Sequence, residues 1–140
     1  FVKTRNIVKV EKSIRLLHRR LTNIRTNHIH QTTSAIAKAK PSAVVMEDLN
    51  VSGMMKNRHL SKAIAGQKLH EFIRQMKYKC EKIGARFVQA AKWFPSSKMC
   101  SCCGQIKPNL KLSDRTFECT CGHVIDRDLN AAINLSKLAV

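Results

Sequence analysis

At 140 residues, 44% of them hydrophobic, the chain is about one domain long by a prior of roughly 100–200 residues and has the apolar content of a folded protein. Twenty-six Lys and Arg stand against nine Asp and Glu, for a formal charge of +17, which makes this a basic globular chain rather than a disordered one. No apolar run approaches the ~20 residues of a membrane span, and Phe1 to Arg5 carry no export signal, so neither a membrane protein nor a secreted one is expected. Phe1 in place of an initiator Met suggests a start inside a longer reading frame or after processing. Self-repulsion of this size is relieved by a polyanion, and nucleic acid is the usual one. A basic surface serving only solubility, an acidic protein or an anionic membrane face is the blander alternative.

The first 40 residues read as one long basic helix. Ile7, Val10, Ile14, Leu17, Leu21 and Ile24 recur at spacings of three and four, with His28 in the next slot. Lys9, Lys12, Arg15, His18, Arg19, Arg20 and Arg25 occupy the other faces, and Pro41 ends any continuation. Such a helix can lie along a phosphate backbone or simply pack with a solvated basic face.

Residues 41–95 alternate strand and helix. Ala43, Val44, Val45 and Met46 form a short apolar run that predicts a buried strand ending in the acids Glu47 and Asp48. After a polar stretch around Ser52 and Gly53, the set Leu69, Phe72, Ile73, Met76, Cys80 and Ile83 is spaced for a helix, and Gly84 stands where a left-handed cap belongs. Arg86 to Ala90 predicts a second strand, and the order is that of an α/β protein with helices crossing between parallel neighbours. Trp93 and Phe94, before Pro95, read as a hinge packed on the core, with base stacking as the alternative.

Residues 96–123 are poor in large apolar residues and hold five of the six cysteines, Cys100, Cys102, Cys103, Cys119 and Cys121. With no export signal, a reducing compartment and zinc suit this cluster better than disulfides. Cys100 with Cys103 and Cys119 with Cys121 form two pairs whose intervening loop lets them face each other across a tetrahedral ion. Four thiolates close the shell, so the site is structural; His123 or Cys102 is the substitute should Cys119 or Cys121 point away. Cys80 lies on the helical stripe and is expected in the core.

In residues 124–140, Asp126 and Asp128 precede an apolar run, Leu129, Ala131, Ala132, Ile133, Leu135 and Leu138, with Asp128 placed as N-cap. Two close acid pairs, Glu47 with Asp48 and Asp126 with Asp128, at a strand end and a helix start, suit a site for Mg²⁺ or Mn²⁺ working on phosphate. Asp128 as a cap and Asp126 paired with Arg127 would account for one pair without any metal.

VVMEDLNVSGM, KYKCEKIGARFV, WFPSSKMCSCCG and RTFECTCGHVIDRDLNAAINL together resemble, along essentially the whole chain, the C-terminal half of TnpB-type (OrfB) insertion-sequence proteins, relatives of type V CRISPR nucleases. The resemblance implies a partial RNase H-like (RuvC) α/β domain with an inserted zinc ribbon. It implies an RNA-guided DNA endonuclease function, with DNA and guide RNA as partners and a bacterial cytoplasmic, nucleoid-associated location. Carried over, Glu47 matches the second of three metal-binding acids and Asp128 the third, with Asp126 a neighbour. Glu47 is preferred to Asp48 because it ends the strand.

The family's first acid precedes the long helix, and Glu11, mid-helix, is the one acid between Phe1 and Lys40. The resemblance therefore implies a fragment that binds nucleic acid and zinc, cleaves poorly alone, and leaves a sheet edge open to self-association. Its Lys and Arg residues would hold a nucleic-acid backbone in a salt-sensitive way. The rival expectation is a zinc-ribbon binding module without enzymatic activity. A basic zinc-containing ribosomal protein would share the charge and cysteines but gives no reason for EDLN and DRDLN.

Overall fold

The computed structural model describes residues 2–111 and 113–139. Its elements in chain order are α1 (Arg5–Lys38), β1 (Ala43–Glu47), α2 (Val51–Met55), α3 (Ser61–Gln67), α4 (Leu69–Ile83), β2 (Arg86–Ala90), β3 (Thr116–Glu118), β4 (Val124–Asp126) and α5 (Arg127–Ser136), followed by a 3₁₀ turn at Lys137–Ala139. They form two compact units, Phe1–Lys40 with Val51–Lys79 and Pro41–Asn50 with Cys80–Val140.

In the first unit Thr4 caps α1 by accepting from the Ile7 amide, and the helix ends at Lys38, three residues before Pro41, which disfavours helical backbone at the residue ahead of it. The heptad-like stripe does not pack. Ile7, Val10, Ile14, Leu17, Leu21 and Ile24 are all at least 42% exposed, and the buried positions of α1 are Ile29 and Thr33. Apolar spacing predicts the helix, but the stripe it marks is exposed and the buried contacts of α1 lie at Ile29 and Thr33, near its C-terminal end.

The anchoring of α1 is polar. Thr33 Oγ1 lies 2.9 Å from Gln75 Oε1 and 2.7 Å from the Ile29 carbonyl, and it accepts from Lys79 Nζ at 2.7 Å. Lys79 also donates to Ser34 Oγ and the His30 carbonyl, and desolvation holds its ammonium below the ordinary lysine value. Gln75 in turn donates to Glu71, which accepts a two-pronged contact from Arg74. The Arg74 hydrogen bond first, then that of Gln75, lowers the Glu71 carboxyl from 4.5 to about 2.

A carboxyl depressed on folding stabilises above its unfolded value and loses that contribution as pH falls toward the folded one. Acid unfolding should therefore steepen between pH 4.5 and about 2. Glu71→Gln should remove that component from a titration followed by circular dichroism. An unchanged acid limb would show that this ion pair does not stabilise the helix.

In the second unit β1 and β2 pair in parallel, with Glu47 opposite Ala90. This confirms the predicted crossover order. β1 is half-buried rather than buried: the sheet has two strands, and α5 with its 3₁₀ turn is the cover that packs on it. Among the described residues, β1 and β2 pair only with each other, so each has one edge without a strand neighbour. α4 ends at Gly84 with φ +72°, and Cys80 is 1% exposed, both as expected. The stretch around Ser52 and Gly53, which showed no periodicity, is helical as α2, with α3 following. These helices are one to two turns long, too short for a repeating pattern to register.

β3 and β4 form an antiparallel ribbon with Phe117 fully buried, and Met99 bridges Ile106 in the preceding loop. α5 then begins directly at the end of β4. The Asp126 carboxylate accepts from the amides of Asp128 and Leu129, so the cap is Asp126 and not Asp128. Because β4 runs straight into the helix, α5 starts at Arg127, two residues earlier than its apolar run from Leu129 suggests. The cap shifts with it.

Candidate metal centre and acidic cleft

Two tight turns carry the cysteines. In the first, the Cys100 amide donates to the Gln105 carbonyl and the Gly104 amide to the Cys100 carbonyl. In the second, the Cys119 amide donates to the His123 carbonyl and the Gly122 amide to the Cys119 carbonyl. Gly104 (φ +79°) and Gly122 (φ +85°) sit in the left-handed region that a side chain resists. Each turn thus needs its glycine immediately after its second cysteine.

The turns bring Cys100, Cys103, Cys119 and Cys121 together with all four sulfurs within 4.8 Å of one another, a set that could hold a metal ion. Cys100 to Cys121 is 3.8 Å and Cys103 to Cys119 is 3.6 Å. Tetrahedral bonds of about 2.3 Å to one zinc would place sulfurs roughly 3.8 Å apart. Neither alternative ligand joins the set. Cys102 is exposed, and His123 Nε2 lies 3.2 Å from Ser101 Oγ.

The bare thiols do not ionise independently. The Cys121 amide leads in lowering Cys119 to about 6. For Cys121 the His123 amide pulls down, but the Cys119 and Cys103 sulfurs outweigh it and push that thiol up to about 12. One thiolate beside another is unfavourable until a cation is shared, and this is the chemistry of a metal-ligand set.

The acids meet in a second place. Glu47, at the end of β1, and Asp128, in the first turn of α5, line one cleft of about 230 Å³ together with Lys98, Lys111 and Arg127. Asp48 and Asp126 are not among its lining residues. Asp126 is committed to the helix cap. Asp128 is 73% exposed, with Arg127 at 3.5 Å and Arg115 at 4.0 Å, so its carboxylate is held loosely and faces solvent. Glu47 accepts from the hydroxyl of Ser96, which is itself 4% exposed.

Two residues that sequence reasoning passed over hold these pieces in place. Asn130 and Asn134, one turn apart on α5, are fully buried and both donate through Nδ2 to the Met99 carbonyl. Asn134 also donates to the Ser96 carbonyl, and Asn130 Oδ1 accepts from the Ser101 amide. The helix that bears Asp128 is thereby tied to the segment carrying Ser96, which orients Glu47, and Cys100, which opens the metal set. The available signal was an Asn pair at i and i+4 within an otherwise apolar run. Asn is an indifferent helix former and has a reason to be there when its amide is used.

Trp93 departs from expectation. It is 87% exposed rather than packed as a hinge, with Lys92 Nζ 5.5 Å from its ring centre, while Phe94 is half-buried. Trp93 sits in a turn closed by the Phe94 amide donating to the Ala91 carbonyl.

Comparison with known proteins follows the same lines. Residues 70–135 match the family model described as Cas12f1-like, TNB domain. A Streptomyces pristinaespiralis protein provisionally named an RNA-guided DNA endonuclease is 36% identical over 93% of this chain and 32% of its own length. The Escherichia coli protein InsQ, provisionally named likewise, is 29% identical over 93% of this chain and 36% of its own. A cryo-EM structure of a Cas12f1–sgRNA–target DNA complex superposes with a TM-score of 0.73 at 24% identity, covering 97% of this chain and 40% of that one, and so shares the fold. The chain spans about a third of the length of these curated relatives. No helix among the described residues is long and apolar enough to cross a membrane.

Proposed function

We propose that this chain, a TnpB-type sequence related to those proteins along 93% of its length, supplies the zinc-stapled portion of an RNA-guided DNA endonuclease that carries two acids of a RuvC-like active site. The observation that supports this best is the shared cleft of Glu47 and Asp128, which come from elements 81 residues apart in sequence. Lys98, Lys111 and Arg127 set three cations beside the two carboxylates. Cations of this kind attract a phosphodiester, and the carboxylates suit a hard divalent ion that takes further oxygens from phosphate. Magnesium or manganese bound there would polarise the phosphate and lower the pKa of an attacking water.

The donor set fits such an ion only in part. Glu47 keeps one oxygen beyond its Ser96 bond and Asp128 is open to solvent, so two ligands are ready. An octahedral ion held by two carboxylates is held weakly, and in-line cleavage by this chain alone should be slow. Zinc in the four-cysteine set is structural, because no coordination position remains for water. DNA and guide RNA are the proposed partners, held by the basic surface, and binding should fall steeply as salt rises.

The test is a cleavage assay with Mg²⁺ or Mn²⁺ on single-stranded and guide-paired DNA, run beside a binding measurement at two salt concentrations. Salt-sensitive binding with slow divalent-dependent cleavage that Glu47→Gln and Asp128→Asn each abolish supports the reading. Cleavage indifferent to both substitutions assigns it to a contaminant and removes the active-site claim. Binding without any cleavage favours the non-enzymatic zinc-ribbon module.

A further inference from the structure

We propose that Trp93 is a stacking platform for a nucleobase of the unpaired DNA strand whose backbone enters the Glu47–Asp128 cleft; the inference rests on the nucleic-acid reading above and adds the residue that places the strand.

Indole is the largest apolar side chain, and burying it is strongly favourable, yet Trp93 is 87% exposed in a unit that buries Phe117 completely. Its position relative to the cleft is fixed from both sides. Three residues before it, Ala90 pairs across the sheet with Glu47. Three residues after it, Ser96 donates to the Glu47 carboxylate. Three residues span at most about 11 Å, so the Trp93 backbone lies within that reach of two residues that touch Glu47 or its strand partner position. Stacked nucleotides follow one another at about 3.4 Å along a strand, which puts the ring within a few nucleotides of a phosphate at the carboxylates.

The apex is also held in shape. The Phe94 amide donates to Ala91 at 2.8 Å, the Ser96 amide to Phe94 at 2.9 Å, and the Pro95 carbonyl accepts from Lys98 and Met99. A platform fixed before binding loses little freedom when a base arrives. Lys92, whose ammonium lies 5.5 Å from the ring centre, marks one face as already attractive to a cation. When a base takes the ring, that ammonium is placed to meet the adjoining phosphate. An aromatic face flanked by cations is what a single strand requires, whereas a duplex keeps its bases stacked on one another.

The chain has one Trp, so its fluorescence reports this site alone. Unlabelled oligothymidylate titrated into the whole protein should quench it at the concentrations where a labelled copy gains anisotropy, and the matching duplex should not. Trp93→Ala should weaken oligothymidylate binding roughly 5- to 150-fold, the range for loss of one base–aromatic stack, while Trp93→Phe stays within a few-fold of the parent. An abasic oligomer of the same length should bind the parent and Trp93→Ala alike. Binding by anisotropy with no quenching, or equal loss on the abasic strand, overturns the platform and leaves the nucleic-acid reading standing. No binding of any strand by anisotropy overturns both.

Discussion

Cys103→Ser is expected to abolish stoichiometric zinc and to unfold the ribbon while the helices of the first unit persist. Among the described residues of 96–126, Phe117, Cys100 and Ser96 are the buried ones. The regular structure described there amounts to two three-residue strands and one isolated bridge. That is too little apolar burial to offset the ordering of about thirty residues, each costing on the order of 1–2 kcal/mol of backbone entropy. The four sulfurs, gathered within 4.8 Å of one another, are the group placed to supply the missing contribution by sharing one ion.

Elemental analysis of the parent should give about one zinc per chain, and of Cys103→Ser close to none. Chelation of the parent should mimic the substitution, with amide exchange rising in residues 96–126 and far less in α4. Cys102→Ser is the control, because Cys102 is exposed and lies outside the sulfur cluster. A parent that purifies without metal, or a ribbon that stays protected after chelation, would show that the turns hold by themselves.

The pairing of the four clustered cysteines was legible in the sequence because each pair is local. CxxCG and CxCG each encode one turn, and a glycine follows each second cysteine where the backbone needs positive φ. β1, α4 and β2 were legible from local signals too: β1 is a continuous apolar run, the apolar period of α4 repeats along its fifteen residues, and Gly84 punctuates the crossover to β2. Which face of α1 is covered could not be read, since burial is decided by another element and periodicity names only a candidate. Nor did hydrophobicity find the centre of α5. Its most buried side chains are two asparagines, whose value lies in three backbone groups at Met99, Ser96 and Ser101 that become visible only when the loop is folded against them. The exposure of Trp93 ran against composition rules too, as departures at binding surfaces often do.

Asp126 and Asp128 stand two residues apart, and their substitutions should separate cleanly. Asp126 spends its carboxylate on the amides of Asp128 and Leu129, so Asp126→Ala should cost about 0.5–2 kcal/mol of stability in denaturant melts. Asp126→Asn should restore most of that, since Asn caps nearly as well. Neither change removes a side chain that lines the cleft. Asp128, by contrast, makes only loose contacts at 3.5 and 4.0 Å, and Asp128→Asn should leave the melt almost unmoved. What it should remove is divalent-ion binding, read as loss of Mn²⁺-induced broadening of the Ser96 and Asn130 amide signals. Ser96→Ala should produce a partial version of the same effect, about 10–100-fold weaker Mn²⁺ binding, because Glu47 loses the hydroxyl that orients it. The reverse pattern, with Mn²⁺ broadening lost in Asp126→Ala and kept in Asp128→Asn, would move the metal ligand to the capping residue and require the helix to start elsewhere when the ion is bound.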